Sequence, residues 1–90
     1  MTVALQVIFG GRVQGVGFRY AARQVALGFD VTGTIQNLPD GTVQLQAVGE
    51  VEELEDFIDE ITLHSEVSHH VQTQRISLLP LFQPKGFRIL

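Results

Sequence analysis

Residues Val3-Ala4-Leu5-Gln6-Val7-Ile8-Phe9 form a nearly unbroken apolar run of strand length. Thr42-Val43-Gln44-Leu45-Gln46-Ala47-Val48 instead alternates polar and apolar, as a strand with one solvated face does. Between them the period changes. Phe18, Ala21, Ala22 and Val25 fall on one side at helical spacing, which predicts a helix over 18–28, ending at Gly28-Phe29 before Asp30. Val51, Leu54, Phe57, Ile58 and Ile61 form a second apolar stripe and predict a helix over 50–63. Further strands are expected over 31–37 and 71–79, with a short one over 86–90. A loop is expected over 10–17. Leu38-Pro39-Asp40-Gly41 reads as a hairpin turn, with Pro where φ is pre-set and Gly where a positive φ is cheapest.

The resulting order, βαββαβ with a short C-terminal strand, is the ferredoxin-like α+β pattern: a mostly antiparallel sheet with two helices on one face. Right-handed crossovers make the first two long strands parallel, with the third between them. The loop after the first strand and Asn37 at the end of the second therefore share one sheet edge, two strand spacings or about 10 Å apart. No linker, repeat or low-complexity tract interrupts residues 1–90, so one domain is expected.

Ninety residues bury only about two-thirds of their unfolded surface, so stability should be modest. A chain 44% hydrophobic and 18% charged is neither disordered nor membrane-embedded in composition. No secretory signal is visible and there is no cysteine, so neither a disulfide framework nor a thiolate metal site can form. A cytoplasmic location is expected. The net charge of −4 argues against a nucleic-acid partner, but its distribution leaves room for a small anion. Residues 1–29 hold Arg12, Arg19 and Arg23 and no acid, whereas 50–60 hold seven acids and no base. That acid run reads as the solvated face of the second helix.

The basic region contains Gly10-Gly11-Arg12-Val13-Gln14-Gly15-Val16-Gly17-Phe18-Arg19, four glycines between a strand and a helix. A glycine-rich strand-to-helix turn directs successive N–H groups toward one spot, and Arg19 adds a planar fork of donors suited to phosphate. The run fits neither Gly-x-Gly-x-x-Gly nor a Walker loop. On loop chemistry alone, a phosphate site and a plain turn with two surface arginines stand level. Asn37, by itself, reads more readily as a turn residue bonding to backbone.

The string Gly11–Arg19 resembles the signature loop of the acylphosphatase family. Gly33-Thr34-Ile35-Gln36-Asn37-Leu38-Pro39-Asp40-Gly41 resembles its second motif, and Gly86–Leu90 is similar to its closing strand. The resemblance implies hydrolysis of an acyl phosphate to a carboxylate and inorganic phosphate, with Arg19 and Asn37 as the catalytic pair and no metal or cofactor. The amides of Gln14, Gly15, Val16, Gly17, Phe18 and Arg19 would hold the phosphoryl oxygens, and Asn37 would orient water. Inorganic phosphate would be both product and competitive inhibitor, and a monomer is expected. Many relatives carry Ser or Thr where this chain has Ala22, an aromatic residue at Thr34, and Lys or Arg at Gln36. Those departures bear on rate and substrate affinity more than on the roles of Arg19 and Asn37.

Other chemistry is thin. His64, His69 and His70 lack the spacing of a helical zinc pair and read as surface residues. A second class of function is a non-catalytic ferredoxin-like anion- or RNA-binding module; its RNA-binding version needs a basic sheet face with stacking aromatics, and residues 42–48 have neither. Similar domains also begin maturation factors that process carbamoyl phosphate. Without cysteines for the zinc fingers found there, a free-standing enzyme is expected.

Overall fold

The computed structural model describes residues 1–90. Its elements are β1 (Thr2–Gly11), α1 (Phe18–Ala26), β2 (Val31–Asn37), β3 (Val43–Glu50), α2 (Val51–Asp59), β4 (Val71–Leu79) and β5 (Phe87–Ile89). They form one sheet in the order β4-β1-β3-β2-β5. β3 runs antiparallel to both β1 and β2, so those two are parallel to each other, and β5 joins β2 in parallel. No helix is long and apolar enough to cross a membrane.

Register sorts the side chains. Val7 opposes Leu45, Phe9 opposes Val43 and Ile35 opposes Leu45, so these buried residues share one face. Phe18 and Ala22 of α1 and Leu54, Phe57 and Ile58 of α2 close over them in a single core. The other face mixes glutamines and threonines with Ala4, Ile8 and Val48 and carries no aromatic along β1–β3. There Gln46 Nε2 donates to Gln6 Oε1 at 2.9 Å. One contact bears directly on the loop after β1. The rings of Phe9 and Phe18 lie 5.1 Å apart, fastening the strand before the loop to the helix after it.

Of the boundaries that differ from the expectation, three have a clear local reason. β1 runs two residues further, through Gly10 and Gly11, which pair with β4 across a register shift instead of opening the loop. A Cβ on Gly10 would collide with Thr73 Oγ1, and one on Gly11 with His70 O, so these glycines serve close strand approach. α1 stops at Ala26, where the N–H groups of Leu27 and Gly28 turn back to Gln24 and Val25 carbonyls three residues earlier. α2 ends at Asp59 and continues as a π-type turn over Glu60–His64. Thr62 Oγ1 donates to Ile58 O and Ser65 Oγ to Ile61 O, hydroxyl bonds that compete with regular helix. The wider turn still keeps Ile61 fully buried.

Candidate functional site

The loop between β1 and α1 is anchored by its apolar ends. Val13 and Phe18 are buried, while Gly15 and Gly17 are exposed between them. Gly15 sits at φ 76° and Gly17, the residue capping α1, at φ 78°. Val16 between them has a negative φ, because no residue other than glycine has a positive one. Alternation of this kind gathers successive N–H groups into a concavity. No backbone or side-chain acceptor within the protein takes up the N–H groups of Gln14 through Arg19. The helix N-terminus therefore offers unspent donors and its partial positive charge at one place.

A cavity of about 180 Å³ opens there, and Gly15, Gly17, Phe18, Arg19 and Asn37 all line it. A water's share of the liquid is about 30 Å³, so a small tetrahedral anion and a water have room. Three recesses mark the surface, and only this one has a cation and no carboxylate among its lining residues. The other two carry Glu55, one with Asp59 and the other with Glu50 and Glu52. Arg19 is half-buried, and its only internal partner is the main-chain oxygen of Leu90, the last residue of the sequence, reached by Nη1 at 3.0 Å. Arg23 is occupied elsewhere, donating Nε to Phe87 O at 3.2 Å.

Asn37 ends β2, its backbone in register with Val43 and its side chain without a partner in the protein. The local turn bonding belongs to Asp40 instead. Its Oδ1 accepts the Thr42 hydroxyl at 2.6 Å and the Thr42 N–H at 3.0 Å, the hydroxyl first and the amide second holding the carboxyl below its ordinary pKa. A depressed native pKa contributes stability that is fully present above the unfolded value and lost as pH falls through the native one. In urea titrations, the advantage of the protein over an Asp40→Asn variant should shrink from about pH 6 to about pH 2.5. A gap equal at both pH values would contradict this role.

Of the remaining loop residues, Gln14 and Val16 do not line the cavity. Val16 leans on the core, and the Gln14 side chain bonds to the β2–β3 turn. Val13, Tyr20 and Ile89 complete the lining and were not anticipated as site residues. Tyr20 directly follows Arg19, and Ile89 arrives with β5, so the loop pattern alone carries no sign of the latter. His64 and His69 are exposed, and no three His, Asp or Glu side chains gather as a metal site.

The acylphosphatase family model matches residues 5–89. The chain belongs to the acylphosphatase family. The acylphosphatase of Lacticaseibacillus paracasei is 38% identical over 97% of this chain and 95% of its own length. That of Listeria welshimeri is 55% identical over 57% of this chain, a match that spans only about half, 55%, of that relative. The crystal structure of the Bacillus subtilis acylphosphatase is 29% identical, with a TM-score of 0.85 over 100% of this chain and 99% of that one. The same fold occurs within full-length HypF at 25% identity and a TM-score of 0.85, covering 12% of that chain. Measured against the acylphosphatase pattern, the departures at Ala22, Thr34 and Gln36 all lie off the cavity lining. Ala22 is fully buried under α1, and the other two are on β2.

Proposed function

We propose that this chain hydrolyses acyl phosphates to a carboxylate and inorganic phosphate. The amides of Gln14 to Arg19 and the Arg19 guanidinium hold the phosphoryl oxygens, and the Asn37 side chain orients the attacking water. The new P–O bond forms to that water as the bond to the acyl oxygen breaks. The carboxylate leaves with the bonding electrons, and the phosphate product retains the water's oxygen, the water's proton passing to a phosphate oxygen or to solvent. A carboxylate is a good leaving group, so the site needs neither a general acid nor a covalent nucleophile. Positioning and charge stabilisation suffice.

One observation carries the reading. Gly15, Gly17, Phe18 and Arg19, whose amides are unspent, border together with Asn37 a single cavity that no carboxylate side chain lines. A non-catalytic RNA-binding role finds no support on the sheet face away from the helices, where glutamines, threonines and the aliphatic Ala4, Ile8 and Val48 stand in place of stacking aromatics.

The test is phosphate release from acetyl phosphate and benzoyl phosphate, with a chelator present throughout. Equal amounts of carboxylate and phosphate should appear, inorganic phosphate should inhibit competitively, and glycerol phosphate, whose alkoxide leaving group needs protonation, should be inert. Sedimentation at assay concentration should show a monomer. Release no faster than spontaneous hydrolysis, or release abolished by the chelator, would overturn the proposal.

A further inference from the structure

The Gln14 side chain makes a contact that phosphate binding by its own backbone amide does not require. Its Nε2 donates to Leu38 O at 2.8 Å and to Thr42 O at 2.9 Å, consuming both amide hydrogens. Those two carbonyls are the mouth of the β2–β3 turn. Leu38 N donates to Thr42 O at 2.9 Å, and Gly41 N donates to Leu38 O at 3.1 Å. Leu38 is also the residue next to Asn37. One side chain thus spans from the residue before Gly15 to the residue after Asn37.

We propose that Gln14 is a positioning residue that keeps the loop holding the phosphoryl group in register with the Asn37 amide. The proposal rests on the roles given above to Arg19 and Asn37. The loop needs such a brace. Gly15 and Gly17 have no side chains, and nothing lies within 4 Å of where a Cβ would stand on either. Apart from bonds within α1, the other hydrogen bonds of residues 12–19 lead to His70, Ala21 and Leu90, so Gln14 makes the loop's only hydrogen bonds to the turn. Removing the side-chain amide leaves neither carbonyl orphaned, since each keeps its main-chain donor. The fold should therefore survive while the register between the two halves of the site loosens. A displacement of about 1 Å in a reacting geometry can cost on the order of a hundred-fold in rate.

The experiment is Gln14→Met, which keeps the length and removes both donors, with Gln14→Asn as a second variant whose donors fall one methylene short. In the folded Met variant kcat should fall roughly ten- to a hundred-fold, while inhibition by inorganic phosphate barely changes. The Asn variant should show the same split at smaller size. Gln14→Met should cost little more when Asn37→Ala is already present, yet nearly its full factor beside Arg19→Lys. Independently of turnover, the Asn37 side-chain amide NMR signals should shift when phosphate is added to the parent protein. They should cease to respond in Gln14→Met, although loop amides still do.

Unchanged kcat in the folded variant, an undiminished factor beside Asn37→Ala, or phosphate inhibition weakened as much as kcat would each overturn the positioning role. So would an Asn37 signal that still follows phosphate in the Met variant. Failure of the parent protein to release phosphate would instead count against the hydrolase reading. The NMR arm then decides the register on its own.

Discussion

Arg19→Lys is expected to reduce kcat by on the order of a hundred- to a thousand-fold, the usual cost of one well-placed donor at such a centre. It should also weaken competitive inhibition by inorganic phosphate. In the proposed role the two losses go together, because there the guanidinium grips the phosphoryl group both before and during the reaction. Its fork presents paired donors to two oxygens, whereas an ammonium is a point charge with no fixed plane. The surroundings offer no substitute. Arg23 is tied to Phe87 O, and no other basic residue lines the cavity. Arg19 itself has given up only one donor, to Leu90 O, so most of its fork remains available. That lone contact, between a half-buried side chain and the exposed main-chain oxygen of the last residue, also means the variant should fold. Steady-state kinetics with phosphate as inhibitor, preceded by a thermal melt, measure both effects. A folded lysine variant with near-normal kcat and unchanged phosphate inhibition would remove Arg19 from the reaction.

The meeting of Arg19 and Asn37 was legible before any coordinates because it follows from topology. Once β1 and β2 are parallel with β3 between them, the loop after one and the end of the other must share an edge. Element order and hydrophobic period are enough to reach that point. The clamp by Gln14 was not legible, for a reason of chemistry. Its partners are the main-chain carbonyls of Leu38 and Thr42, and a carbonyl carries no residue identity. Any side chains at 38 and 42 would offer the same acceptors.

The glycines show the same limit. Gly15 and Gly17 are required by positive φ, a local demand that their clustering reveals. Gly10 and Gly11 stand beside them in sequence but are also required by Thr73 and His70, some sixty residues away, and a local pattern cannot separate the two causes. The apolar stripe of α2 likewise reaches Ile61 and predicts a regular helix to that point. The hydroxyls of Thr62 and Ser65 redirect the last turn by bonding to carbonyls, which the stripe does not encode.

Asn37→Ala separates the second role from the first. The Asn37 side chain has no partner within the protein and is exposed at the end of β2, while Asp40 does the turn's local bonding. Truncating it leaves no buried group unsatisfied, so stability should change little. If its amide holds the water and meets charge that develops only as the P–O bond forms, the loss falls on the transition state alone. kcat and kcat/KM should then drop by similar factors, again on the order of a hundred- to a thousand-fold, while inhibition by inorganic phosphate stays nearly as it was. That pattern differs from the one expected for Arg19→Lys, where phosphate binding weakens as well, so the pair of variants would divide the site into a half that holds phosphate and a half that places water. A folded Asn37→Ala protein with near-normal turnover would reduce Asn37 to the last residue of a strand. An alanine variant whose phosphate inhibition collapsed along with kcat would move Asn37 into the phosphate-holding half.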